Sequence, residues 1–118
     1  MAQKATFVHG NPVMVDHTPS SAIAAGDTVL VGDEPRVAHN AIAANALGTL
    51  AAGGGVYDVD KETTNPIADG VVLYFDNSAK KVTPDGPGSH KIWGRSVKAA
   101  LAADTKVRAL HDPSANAS

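Results

Sequence analysis

Four times the chain writes the same short phrase, an apolar anchor, two small or compact residues and then a turn former. The phrases are Ile23-Ala24-Ala25-Gly26-Asp27, Ile42-Ala43-Ala44-Asn45, Ile67-Ala68-Asp69-Gly70 and Leu101-Ala102-Ala103-Asp104. Glycine, asparagine and aspartate accept the tight backbone that redirects a chain, while the Ile or Leu is suited to plug the end of a core. Their spacing is too irregular for a solenoid, so the phrase reads as a recurrent turn between short strands. Short strands separated by turn signals point to an all-β fold, a small single-domain barrel or sandwich of hairpins with at most one or two short helical turns.

The strand signal is densest at Pro66 to Thr83. Val71 to Phe75 are all strand-favouring, Asp76-Asn77-Ser78 supplies a turn, and Val82-Thr83 resumes the pattern. Upstream, Thr6-Phe7-Val8 and Val13-Met14-Val15 flank a Gly-Asn-Pro turn, and Thr28 to Val31 with Arg36 to Ala38 form a second hairpin. Ala41 to Ala52 is ambiguous by composition, but Asn45 and Gly48 interrupt any helix, and a turn followed by a strand is expected, with Val56 to Val59 as the next strand. Lys61 to Asn65 reads as a polar loop and Pro84 to Ser89 as an exposed one. Ile92 to Val97 reads as a strand and Val97 to Ala103 as one or two helical turns. Thr105 to Leu110 alternates as a half-buried strand, with Thr105, Val107 and Ala109 on one face. The expected organisation is one β-rich domain over 1–118, with 1–19 as an N-terminal arm and 113–118 as a flexible tail.

Composition narrows the chemistry. There is no cysteine, which removes thiol nucleophiles, thiolate zinc sites and disulfides. A net charge of −2, from 10 basic and 12 acidic residues, gives no basic field for a nucleic acid backbone. No apolar run approaches the ~20 residues of a membrane helix, and Met1 to Lys4 leads into a strand without a signal-peptide apolar region. Neither nucleic acid nor membrane is an expected partner. Aromatics make up only 4% of the residues against 21 alanines. Small side chains on this scale favour close backbone packing over a roomy ligand cavity.

Candidate catalytic and metal groups do not assemble into motifs. The five histidines, His9, His17, His39, His90 and His111, lack the two-to-five-residue spacing of zinc sites and read as turn or surface residues. Asp58, Asp60 and Glu62 lack the glycine and closing glutamate of a calcium loop and read as a solvated strand face. No serine sits in a Gly-x-Ser-x-Gly elbow, and Gly53-Gly54-Gly55 lacks the Lys-Ser/Thr of a phosphate loop. No enzyme activity and no cofactor are expected. Trp93, the single tryptophan, suits a core position beside Ile92 and Val97, or else an interface anchor.

The order of several phrases resembles the capsid decoration, or head cement, proteins of tailed phages. The stretches that carry it are Lys4 to Val8, Ala24 to Val29, Gly55 to Val59 with Lys61, Ala68 to Tyr74, Lys80 to Thr83, Trp93 to Val97 and Asp104 to Arg108. The resemblance implies a β-rich structural protein, made in the host cytoplasm, that binds the outer surface of the assembled head. It further implies the major capsid protein as partner and a homo-oligomer, typically a trimer, that holds neighbouring capsid subunits together. On this reading Thr6, Phe7, Val8, Val13, Val15 and Trp93 are the candidate capsid or protomer contacts, the N-terminal stretch acting as an arm or edge strand that adds to a partner. Two rivals differ in class. Ala24 to Val31 is similar to the run before a hairpin in biotinyl-lipoyl carrier modules, yet the next turn, Gly32 to Pro35, holds no lysine for attachment. A small β-barrel enzyme or protease-associated protein of a phage head module is the other.

Overall fold

A computed structural model describes residues 4–86, 88 and 90–113. Ten strands follow one another: β1 (Ala5–Gly10), β2 (Met14–His17), β3 (Thr28–Val31), β4 (Glu34–Val37), β5 (Gly48–Ala51), β6 (Gly55–Asp60), β7 (Val72–Asp76), β8 (Lys81–Thr83), β9 (Lys91–Ser96) and β10 (Lys106–His111). They form a six-stranded sheet in the order β1-β6-β10-β9-β7-β8 and a four-stranded sheet in the order β2-β5-β4-β3, with antiparallel pairing throughout both. The fold is therefore an all-β sandwich.

Alternation places the core. Tyr57 and Val59 of β6, Leu73 and Phe75 of β7, Trp93 of β9 and Val107 and Ala109 of β10 point inward and meet Val37 and Ala51 of the smaller sheet. Each large apolar side chain fully enclosed here contributes about 1.5–3 kcal/mol. A second cluster, Ile23, Ala38, Ile42 and Leu50 with Val29 and Val31 against it, lies on the other face of the four-stranded sheet. The reciprocally bonded pair Ile23 and Ile42 belongs to that cluster.

The Pro66 to Thr83 hairpin forms as its residues require. Asp76 Oδ1 accepts from the amides of Ser78 at 3.0 Å and Ala79 at 3.2 Å, closing the reversal between β7 and β8. Phe75 enters the core while Tyr74 is half-buried, with its ring where a side chain on Gly86 would sit.

Several local expectations change. No helical turn forms over Val97 to Ala103; Ala100 instead exchanges backbone bonds with Ile67, and Leu101 to Asp104 is a β-turn. Ala100 thereby takes the anchor position expected of Leu101, which is 72% exposed. The polar loop expected from Lys61 begins with a buried residue, 1% exposed, because Lys61 Nζ donates to the carbonyls of Leu101, Ala102 and Asp104, each at 3.1 Å. Thr6 to Val8 and Val13 to Val15 do not pair across their turn but enter different sheets. Pro113 is buried, and residues 114–118 of the expected tail lie outside the described residues, as do 87 and 89 of the Pro84 to Ser89 loop.

Candidate functional site

β1 and β2 are each the outermost strand of a sheet, so the N-terminal segment builds one side of the sandwich. The link between them crosses directly over the link from β5 to β6. Val13 N–H bonds Gly53 O at 2.9 Å and Ala52 N–H bonds Val13 O at 2.8 Å. A Cβ on Gly54, at φ +99°, would meet Asn11 O at 3.2 Å. The glycine run is thus a crossing point where backbone meets backbone, a use of glycine set by close approach.

Five of the six candidate contacts lie along this side, with their side chains divided among different faces of the two sheets. Thr6 is exposed in the row Thr6, Asp58, Arg108 across β1, β6 and β10, and Val8 occupies the bulge between Phe7 and His9. Phe7, on the same face as its partner Tyr57, remains 40% exposed because no further strand covers it. Val13 is 64% exposed and Val15 half-buried opposite Leu50. Trp93 does not join them. It is fully enclosed, its Nε1–H donating to Thr28 Oγ1 at 3.2 Å, and offers no surface to a partner.

Behind Phe7 lies a chain of rings that sequence spacing did not reveal. Phe7 meets His39 at 5.0 Å and Tyr57 at 5.5 Å between centroids, Tyr57 meets Trp93 edge-on at 5.8 Å, and Trp93 meets His111 at 4.8 Å. Besides the Trp93 bond to Thr28, two more of its hydrogen bonds run between the sheets. Tyr57 Oη lies 2.6 Å from His39 Nε2, and His111 Nε2 lies 2.7 Å from the Pro35 carbonyl, which can only accept, so Nε2 carries the proton. Burial pushes the Tyr57 phenol up to about 12 and lowers His39, which suits a protonated phenol donating to a neutral imidazole. Burial likewise holds His111 down at about 4, and its Nδ1 has no hydrogen-bond partner among the described residues. The one sequence signal for this cluster was Phe7 itself, whose strand register calls for an inward neighbour.

The outward face is charged. Arg108 binds Asp58 through two bonds, at 2.9 and 3.1 Å, and Lys106 pairs with Asp60. The Arg108 guanidinium holds the Asp58 carboxyl below its ordinary range. The expected solvated acidic face is therefore a cross-strand ion-pair ladder. Among the described residues no three His, Asp or Glu side chains are grouped to hold a metal ion.

What the N-terminal side offers is an apolar, hydrogen-bond-capable edge on a rigid ring-packed base, an arrangement suited to contact. Neither the curated proteins nor the solved structures give a match to the chain. Residues 8–111 match the family model of phage cement proteins, and the chain belongs to that family of structural, non-catalytic proteins.

Proposed function

We propose that this cement protein decorates the outer surface of the phage head as a homotrimer, stabilises contacts between major capsid subunits, and uses its N-terminal segment Thr6 to Val15 to contact the shell or a neighbouring protomer. One observation carries the choice of surface. Among the described residues, Phe7, Val13 and Met14 account for three of the seven large hydrophobic side chains left exposed, within eight residues of sequence. Apolar side chains held out on a rigid edge are the anchors that interfaces use, with aromatics prominent among them. Many copies on one lattice then supply firm attachment from modest individual contacts.

β1 and β2 each bond into a sheet, so point changes test the segment better than deletion. Phe7→Ala and Val13→Asp are expected to lower co-sedimentation with undecorated heads about 10-fold or more, with circular dichroism unchanged. Wild-type binding by both variants would remove Phe7 and Val13 from the shell contact.

A further inference from the structure

The four-stranded sheet ends in two edges of equal length, β2 and β3, four residues each. Val13 bonds to Ala52 and Asp27 bonds to Ala38, so by alternation Met14 and Asp16 of β2, and Thr28 and Leu30 of β3, aim their peptide groups out of the sheet. Leu30 stands opposite Pro35, which has no N–H to give and needs none in a pair that exchanges no bonds. The six-stranded sheet blunts both of its own edges. β8 is capped by the Lys61 bridge and by Glu62 N–H bonding Val82 O, while β1 has Ala5 N–H tied to Gly26 O and a bulge after Phe7. Among the described residues β2 and β3 carry neither device.

Beside β3 the surface is hollowed into an open groove of about 650 Å³, lined among others by Lys4, Asp27, Thr28, Leu30, Asn77 and Lys80. Its lining holds two lysines and one carboxylate, and Asp27 is already paired with Lys4 at 3.6 Å. The groove therefore favours an extended strand that brings a carboxylate of its own. β2 fits that description through the exposed Asp16.

We infer that the β3 groove receives β2 of a second copy of this chain. Three antiparallel steps separate β2 from β3 within a sheet, so the two strands run in opposite directions. A neighbour rotated about an axis inclined to the strands, as in barrels, brings its β2 antiparallel to β3, and the sheet continues from copy to copy. The neighbour's β2 is shifted two residues along β3, since Met14 stands level with Thr28 within one chain. In the register that matches the outward peptide groups, Met14 faces Leu30 and Asp16 faces Thr28, toward the Lys4 end of the groove. The contact joins two different surfaces, so repetition closes a ring when the rotation permits. The inference rests on the homotrimer reading above and names the seam of that trimer.

The cysteine-free chain allows a direct test with the double variant Met14→Cys, Leu30→Cys. Within one chain these positions lie three strand spacings and two residues apart, more than ~14 Å, too far for a disulfide. Across the inferred seam they are paired. Oxidation of the full-length protein, free and on decorated heads, is expected to give a ladder of two and three linked chains on denaturing gels, absent from either single-cysteine variant beyond simple dimers. A thermal melt of the reduced double variant checks that it folds. No linkage beyond that of the single variants, in either setting, would overturn the seam. Heads that carry unlinked protein would sink the seam and leave decoration standing, whereas a ladder without head binding would do the reverse.

Discussion

Lys61 shows how one side chain can hold a turn that propensity would not. Its ammonium has three donors and uses them on three carbonyls of the Leu101 to Asp104 turn, which is how a charge is kept inside at 1% exposure. Lys61→Met preserves the stem and abandons the carbonyls, at an expected cost of about 3 kcal/mol in urea unfolding. Gly94 is a second such position, for steric reasons. It lies in β9 opposite His111, and any Cβ there would run into the Leu110 carbonyl oxygen on β10. Gly94→Ala is expected to cost about 2 kcal/mol by overpacking, read from the same unfolding curves. Neither role could be read from sequence, since each depends on a partner distant in the chain: a turn 40 or more residues away for Lys61, a strand residue 16 away for Gly94.

At the scale of elements, the recurrent turn phrase was readable and its partnership was not. The phrases pair two by two: Ile23 exchanges bonds with Ile42, and Ile67 with Ala100. In the first three the turn former takes a positive φ, +88° at Gly26, +64° at Asn45 and +82° at Gly70, as a type II turn demands. The fourth phrase has no such residue, and its anchor shifts by one position to Ala100. At Gly70 nothing lies within 4 Å of an added Cβ, so Gly70→Ala tests the backbone alone, with an expected loss of about 1 kcal/mol. Strands were found by their composition and alternation, which are local properties. Pairing between β1 and β6, or the separation of β1 from β2, is decided by packing across the whole sheet, which no short window contains.

For the whole molecule, cohesion depends on ties between two sheets that share no strand. Val37 and Ala51 close the core from the smaller sheet, and His111 to Pro35, His39 to Tyr57 and Trp93 to Thr28 supply the polar ties. His111 makes one of these ties sensitive to acid. Its folded pKa lies at about 4, below the unfolded value of 6.5, so the unfolded chain binds the proton more readily. Stability from this group is present above pH 6.5 and is lost as pH falls through about 4, for a total of about 3 kcal/mol. Urea midpoints at pH 7, 5 and 4 should fall in that order, and His111→Gln should remove that part of the slope. The exposure of Phe7 and Val13, on which the proposed N-terminal contact rests, was half visible in sequence, because both stand out as apolar residues at a strand edge. Trp93, read first as core and second as an interface anchor, is core, and its apolar neighbours Ile92 and Val97 were the sequence signal for that. The enclosure of Lys61 also has a chemical use. An amine-acylating reagent can reach the other six lysines in the native protein but meets Lys61 only in molecules that have come open. Its modification, followed by mass spectrometry, would therefore serve as a native clock for how often this head protein lets go of its own fold.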